Sequence, residues 1–131
     1  MTLKVFIVED SDVVRDCLSD ALEELAPVNV VGSAAVEQAA VQWLLHDCPG
    51  ECDLLVVDLS LERGPGLGVL RACQGVTTFC KVVFSNHVGN EMKRRCSALG
   101  ADRVFDKSNE IDALIDYCVR LEQGKAKRPG G

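Results

Sequence analysis

The chain has 131 residues and a formal net charge of -6, with 47% hydrophobic and only 5% aromatic residues. That length suits one domain with a core large enough to fold without a metal or disulfide staple. The acidic balance argues against non-specific nucleic-acid binding, which needs a surplus of Lys and Arg.

Five short apolar runs read as strands buried on both faces: Leu3–Val8, Val28–Val31, Asp53–Asp58, Lys81–Ser85 and Arg103–Asp106. Helix-period stripes alternate with them. The first carries Val14, Leu18, Ala21, Leu22 and Leu25 behind an expected Ser11 N-cap; the second carries Val36, Ala39, Ala40, Trp43 and Leu44. Leu67 and Leu70 suggest a short third helix after Gly66. Val88, Met92, Cys96 and Leu99 form the fourth, stopped near Gly100. Ile111, Leu114, Ile115, Cys118 and Leu121 form the fifth, with Ser108 as its expected N-cap and Gly124 as its expected stop. The fold class is therefore α/β: a doubly wound, flavodoxin-like (βα)5 domain with a five-stranded parallel sheet in the order 2-1-3-4-5. The domain is expected over 1–123, followed by a flexible basic tail over 124–131, GKAKRPGG.

Seven cysteines, without a C-x-x-C, read as reduced thiols serving as small apolar side chains in a cytoplasmic protein. Cys48-Pro-Gly-Glu-Cys52 lacks the second pair that a zinc site needs. The N-terminus has no secretory signal, and no run approaches the ~18 apolar residues of a membrane span.

In such a sheet, ligands bind beyond the carboxyl ends of the strands, where the strand order reverses. The first strand ends in Glu9-Asp10, the third in Asp58, the fourth in Ser85 and the fifth in Asp106-Lys107. Any one of these carboxylates could be a helix cap, but three at one edge repel unless cations join them. Lys107 supplies one charge, and a hard divalent ion such as Mg²⁺ supplies the rest. A carboxylate beside a divalent ion, a lysine and a hydroxyl is equipped for phosphoryl transfer with the carboxylate as nucleophile.

These residues resemble the receiver domains of two-component response regulators, the CheY-like superfamily, from Leu3 to about Leu121. The motifs are Val8-Glu9-Asp10, Leu54-Leu55-Val56-Val57-Asp58-Leu59, Gly64-Pro65-Gly66, Val83-Phe84-Ser85-Asn86, and Gly100-Ala101-Asp102 followed by Lys107. The resemblance implies that Asp58 accepts the phosphoryl group. It also implies that Glu9 and Asp10 hold Mg²⁺ together with Asp58 and the Ser60 carbonyl. Ser85 and Lys107 would then engage the phosphoryl oxygens, while Ser60 and His87 would tune the lifetime of the mark. The implied donor is a sensor histidine kinase or histidine phosphotransfer protein. The output would be a partner protein or onward transfer, because no output domain follows. Neither nucleic acid nor membrane is an expected partner, and no turnover enzyme is expected.

Two positions depart from the family pattern. Val104 stands where an aromatic switch residue is common, with Phe105 beside it as buried strand. Ser108 follows the lysine where proline is common. A phosphorylation-independent pseudo-receiver scaffold is the alternative function. An aspartate-nucleophile phosphatase is disfavoured by Ser60, which stands where a second Asp is usual. A dinucleotide loop is disfavoured by Glu-Asp-Ser-Asp after the first strand, which would repel phosphate.

Overall fold

The computed structural model describes residues 2–47, 52–60 and 66–127. The strands are β1 (Leu3–Val8), β2 (Val28–Ala34), β3 (Leu54–Val57), β4 (Cys80–Ser85) and β5 (Arg103–Asp106). They pair in parallel in the order β2-β1-β3-β4-β5. The helices are α1 (Asp12–Leu25), α2 (Glu37–Gln42), α3 (Gly66–Ala72), α4 (Asn90–Ala98) and α5 (Ile111–Lys127).

The unbroken apolar runs are explained by two cores, one on each face of the sheet. Alternate residues of each strand point to opposite faces. Leu3, Val5 and Ile7 of β1, Leu54 and Val56 of β3, and Val82 and Phe84 of β4 pack with Leu18 and Leu22 of α1 and Leu114 and Cys118 of α5. Phe6, Val8, Leu55, Val57 and Val83 pack on the other face, with Ala40 of α2, Val69 and Leu70 of α3, and Cys96 of α4.

Several boundaries differ from the sequence reading. β2 runs to Ala34, past the expected Val31, because a register shift between Val5 and Phe6 lets Gly32, Ser33 and Ala34 pair with Phe6, Ile7 and Val8. The second helix is not one α-helix. α2 ends at Gln42 and a π-helical turn, Trp43–Asp47, follows; it carries Trp43 onto Phe6, ring centroids 4.3 Å apart, and buries Leu44. Ser11 caps α1 as expected, accepting from the Val14 amide at 3.3 Å. Gly100 ends the α4 segment with φ 101°, and the Ala101 amide reaches back to the Cys96 carbonyl at 3.0 Å.

The start and stop expected for the fifth helix are both corrected. Ser108 does not cap α5: its amide and hydroxyl donate to Asp106 Oδ1 at 2.8 and 2.6 Å, and the helix begins at Ile111. These bonds hold the Asp106 carboxyl below its ordinary pKa. Gly124 does not stop α5, which continues to Lys127. A helical glycine costs only about 1 kcal/mol relative to alanine, and the flanking Gln123, Lys125, Ala126 and Lys127 are good helix formers. The basic tail expected from 124 is thus helical over its first four residues. Residues 128–131, the Gly64-Pro65 loop and Cys48 lie outside the described residues.

Cys52, Cys73, Cys96 and Cys118 are buried. Burial pushes all four thiols up, Cys52 and Cys118 to about 12. A raised folded-state pKa contributes stability that is whole below the unfolded thiol's value and is lost as pH rises toward the folded one. Stability should therefore decline from about pH 9 upward, since unfolded thiols ionise near 8.5. Urea unfolding midpoints between pH 7.5 and 10.5 check this, and a flat profile would contradict it.

Candidate functional site

The chain reverses direction across the sheet between β1 and β3, so the segments leaving these neighbouring strands diverge and open a crevice at their carboxyl ends. Register sets what meets there. Val8 pairs with Val57, which places Glu9 and Asp58 side by side as each strand ends. Ser85 closes β4 opposite Asp106, and the Lys107 amide donates to the Ser85 carbonyl at 3.1 Å.

The side chains converge on Asp58, which is 6% exposed. Its Oδ1 accepts from Ser85 Oγ at 2.8 Å and from the Ser60 amide at 3.0 Å. Its Oδ2 accepts from Lys107 Nζ at 2.8 Å. Lys107 Nζ also donates to Glu9 Oε1, while Glu9 Oε2 accepts from the Ser11 amide at 3.1 Å. The ammonium therefore bridges two buried carboxylates.

Electrostatics divides the two acids. Burial pushes the Asp58 carboxyl up, but Lys107, the Ser60 amide and Ser85 outweigh it and hold Asp58 below the ordinary carboxylate value. At Glu9, burial prevails over Lys107 and the Ser11 amide, and the pKa is raised. Burial lowers Lys107, but Asp58 and Glu9 more than reverse this and raise it. The arrangement favours an ionised Asp58 beside a charged lysine.

Glu9, Asp10 and Asp58 each offer one carboxylate oxygen, and these atoms lie within 4.8 Å of one another. Three carboxylates against one ammonium leave two negative charges. An all-oxygen donor set with that deficit fits a hard divalent cation such as Mg²⁺.

Residues 5–118 match the family described as "Response regulator receiver domain". The chain belongs to that family. The acidic pocket of Glu9, Asp10 and Asp58 is that of a typical receiver phosphoacceptor site. This receiver is 31% identical over 119 residues to the protein-glutamate methylesterase/protein-glutamine glutaminase 1 of Syntrophus aciditrophicus, covering 90% of the chain and 33% of that protein. It is 27% identical over 127 residues to the response regulator UvrY of Escherichia coli, covering 94% and 56%. The receiver thus spans a third to about half the length of these relatives. Its fold matches the receiver domain of NarL from Mycobacterium tuberculosis with TM-score 0.79 at 19% identity, covering 94% and 98% of the two chains. It also matches the response regulator domain of Thermotoga maritima CheB with TM-score 0.78 at 18% identity, covering 98% and 100%.

The structure brings Glu9, Asp10, Asp58, Ser85 and Lys107 together at this edge as side chains; Ser60, expected to act through its carbonyl, meets Asp58 through its amide. His87 is exposed in the loop after β4, with φ 56°. Phe105 is buried, stacked edge-on with Tyr117 at 5.8 Å, and Val104 is half-buried. The sequence reading missed two features. The Glu9–Lys107 bond is a consequence of anion crowding that the residue types already implied. The role of Gly66 was hidden: a Cβ there would stand 2.0 Å from the Asp58 carbonyl oxygen, so only glycine lets α3 start this close to the acceptor. Among the described residues no helix is long and apolar enough to cross a membrane.

Proposed function

We propose that the chain is a phosphorylation-controlled switch in which Asp58 takes a phosphoryl group from a phosphohistidine on a sensor histidine kinase or a histidine phosphotransfer protein. The reading is supported above all by one observation: both oxygens of Asp58 are engaged by donors suited to a phosphoryl site, with Glu9 and Asp10 offering oxygens beside them.

In the transfer, an Asp58 carboxylate oxygen attacks phosphorus and the N–P bond of the donor breaks, the imidazole leaving with its electron pair. Glu9, Asp10, Asp58 and the Ser60 carbonyl would hold Mg²⁺, which when bound neutralises charge on the transferring oxygens. Lys107, whose ammonium meets Asp58 Oδ2, would stabilise the same charge. After transfer, its ammonium and the Ser85 hydroxyl move from Asp58 to the phosphoryl oxygens, drawing the ends of β4 and β5 toward the mark. Ser60, whose amide meets Asp58, and His87, in the loop after β4, would tune hydrolysis of the acyl phosphate. The chain changes state without turning over a substrate, and its output is altered partner binding or onward transfer.

Acetyl phosphate with Mg²⁺ should add one phosphoryl group by intact mass, and Asp58→Asn should remove that increment. An unmodified wild-type chain, or a modified Asp58→Asn chain, would overturn the reading. The alternative, a scaffold indifferent to phosphorylation, would bind its partner equally after Asp58→Asn.

A further inference from the structure

Alternation along β4 puts Lys81 on the same face of the sheet as Val83, where its register partner is Leu55. That face carries the apolar core shared with α2, α3 and α4, yet Lys81 is buried at its margin, 5% exposed. A lysine is almost never buried this far unless paired. Among the described residues Lys81 makes no ion pair. Of the three protons on its ammonium, one goes to the Val76 carbonyl, with Nζ to oxygen 2.6 Å. Asp102 is the acid at this edge, but its Oδ2 accepts from the Lys81 amide at 2.9 Å and not from the ammonium.

A cavity of about 320 Å³ opens beside this lysine, before the amino ends of β4 and β5, with Val76, Phe79, Lys81, Gly100 and Asp102 in its wall. Three of these residues surround the ammonium. Val76 accepts from it, the Phe79 ring centroid lies 5.7 Å from Nζ, and a Cβ added to Gly100 would stand 3.6 Å from Nζ. The absent Gly100 side chain widens the approach to the charge. The cavity lies at the edge of the sheet opposite Asp58 and shares no residue with the acidic pocket.

From this juxtaposition we infer that the cavity binds a small organic monocarboxylate, its carboxylate on the Lys81 ammonium and its apolar body against Val76 and Phe79. A buried ammonium without a carboxylate partner calls for one negative charge, and a ligand can supply it. Asp102 in the wall repels a second charge, which selects a monoanion over a dianion. Val76 and Phe79 reward an apolar group that an inorganic ion lacks. The volume is at the lower end of the range for small-molecule pockets, about 300–1,000 Å³. Binding here does not depend on the phosphorylation proposed above.

The test titrates the ¹⁵N-labelled full chain with sodium benzoate at pH 7 and constant ionic strength. Comparison ligands are benzyl alcohol, which keeps the ring without the charge, and inorganic phosphate, which keeps charge without the ring. Saturable amide shifts centred on residues 75–81 and 100–102 are expected with benzoate, at least fivefold weaker with phosphate and absent with benzyl alcohol. Lys81→Met should weaken benzoate binding at least tenfold. Lys93→Met, which changes net charge equally, should alter it less than twofold. Asp102→Asn, at an exposed position whose amide oxygen can still accept from the Lys81 amide, should tighten it at least twofold, so the test survives a Lys81 variant that fails to fold. The Asp58→Asn chain should bind as wild type does, so failed phosphorylation would leave this inference standing. Shifts centred elsewhere, no saturation at tens of millimolar benzoate, or weaker binding by Asp102→Asn would overturn it. So would wild-type affinity in Lys81→Met, which would leave the ammonium only tying the segment before β4 to the strand.

Discussion

Lys107→Met should lower the unfolding free energy by roughly 3–5 kcal/mol, because it strips the shared cation from two buried carboxylates. The Glu9 and Asp58 side chains are 4% and 7% exposed, and the lysine itself 17%, so solvent replaces little of what is lost. The pH dependence identifies the cause. Asp58 has a depressed pKa, so its contribution is present above the unfolded carboxylate value and is lost as pH falls through the folded one. The urea curves of wild type and variant should therefore converge below about pH 4, where the carboxyls protonate. Adding Glu9→Gln and Asp58→Asn to Lys107→Met should recover most of the loss, since no buried charge then lacks a partner. A variant as stable as wild type at pH 7 would contradict the bridging role of the ammonium.

Gly66→Ala should be nearly as damaging, by about 3 kcal/mol or more, for a steric reason. The added carbon would sit 2.0 Å from the Asp58 carbonyl oxygen and 2.8 Å from Leu59 Cα, both main chain. Relief requires moving α3 or the segment that carries the phosphoacceptor. Gly68→Ala is the internal control. Its Cβ would come within 1.7 Å of Glu37 Oε1, but that atom ends a flexible side chain that can swing aside. Thermal unfolding should place Gly66→Ala well below Gly68→Ala, and acetyl phosphate should modify the first more slowly than the second. Equal melting temperatures would show that Asp58 and α3 are not in the contact described.

The strands were legible because a sheet covered on both faces demands unbroken apolar runs, and LKVFIV and LLVV are such runs. The site was legible because β1 leads into Glu9-Asp10 and β3 into Asp58, while β4 ends in Ser85 and β5 in Asp106, and the strand order brings these to one edge. The misreadings share a different cause. Gly124 and Ser108 have strong local meanings, stop and cap, that α5 does not use: Asp106 takes the Ser108 donors, and good helix formers carry the chain past Gly124. The extension of β2 depends on a register shift, and the π turn at Trp43 on a stack with Phe6. Both are contacts between distant segments that local pattern does not contain.

That stack has a practical consequence. Trp43 is the sole tryptophan and lies half-buried on Phe6, three residues upstream of Glu9 along β1. Intrinsic emission therefore comes from one indole, on the face of the sheet opposite α1 and α5. A spectral shift during denaturation reports separation of the π turn after α2 from β1, whereas a steady signal while acetyl phosphate acts would mean that this seam stays closed as the acceptor changes.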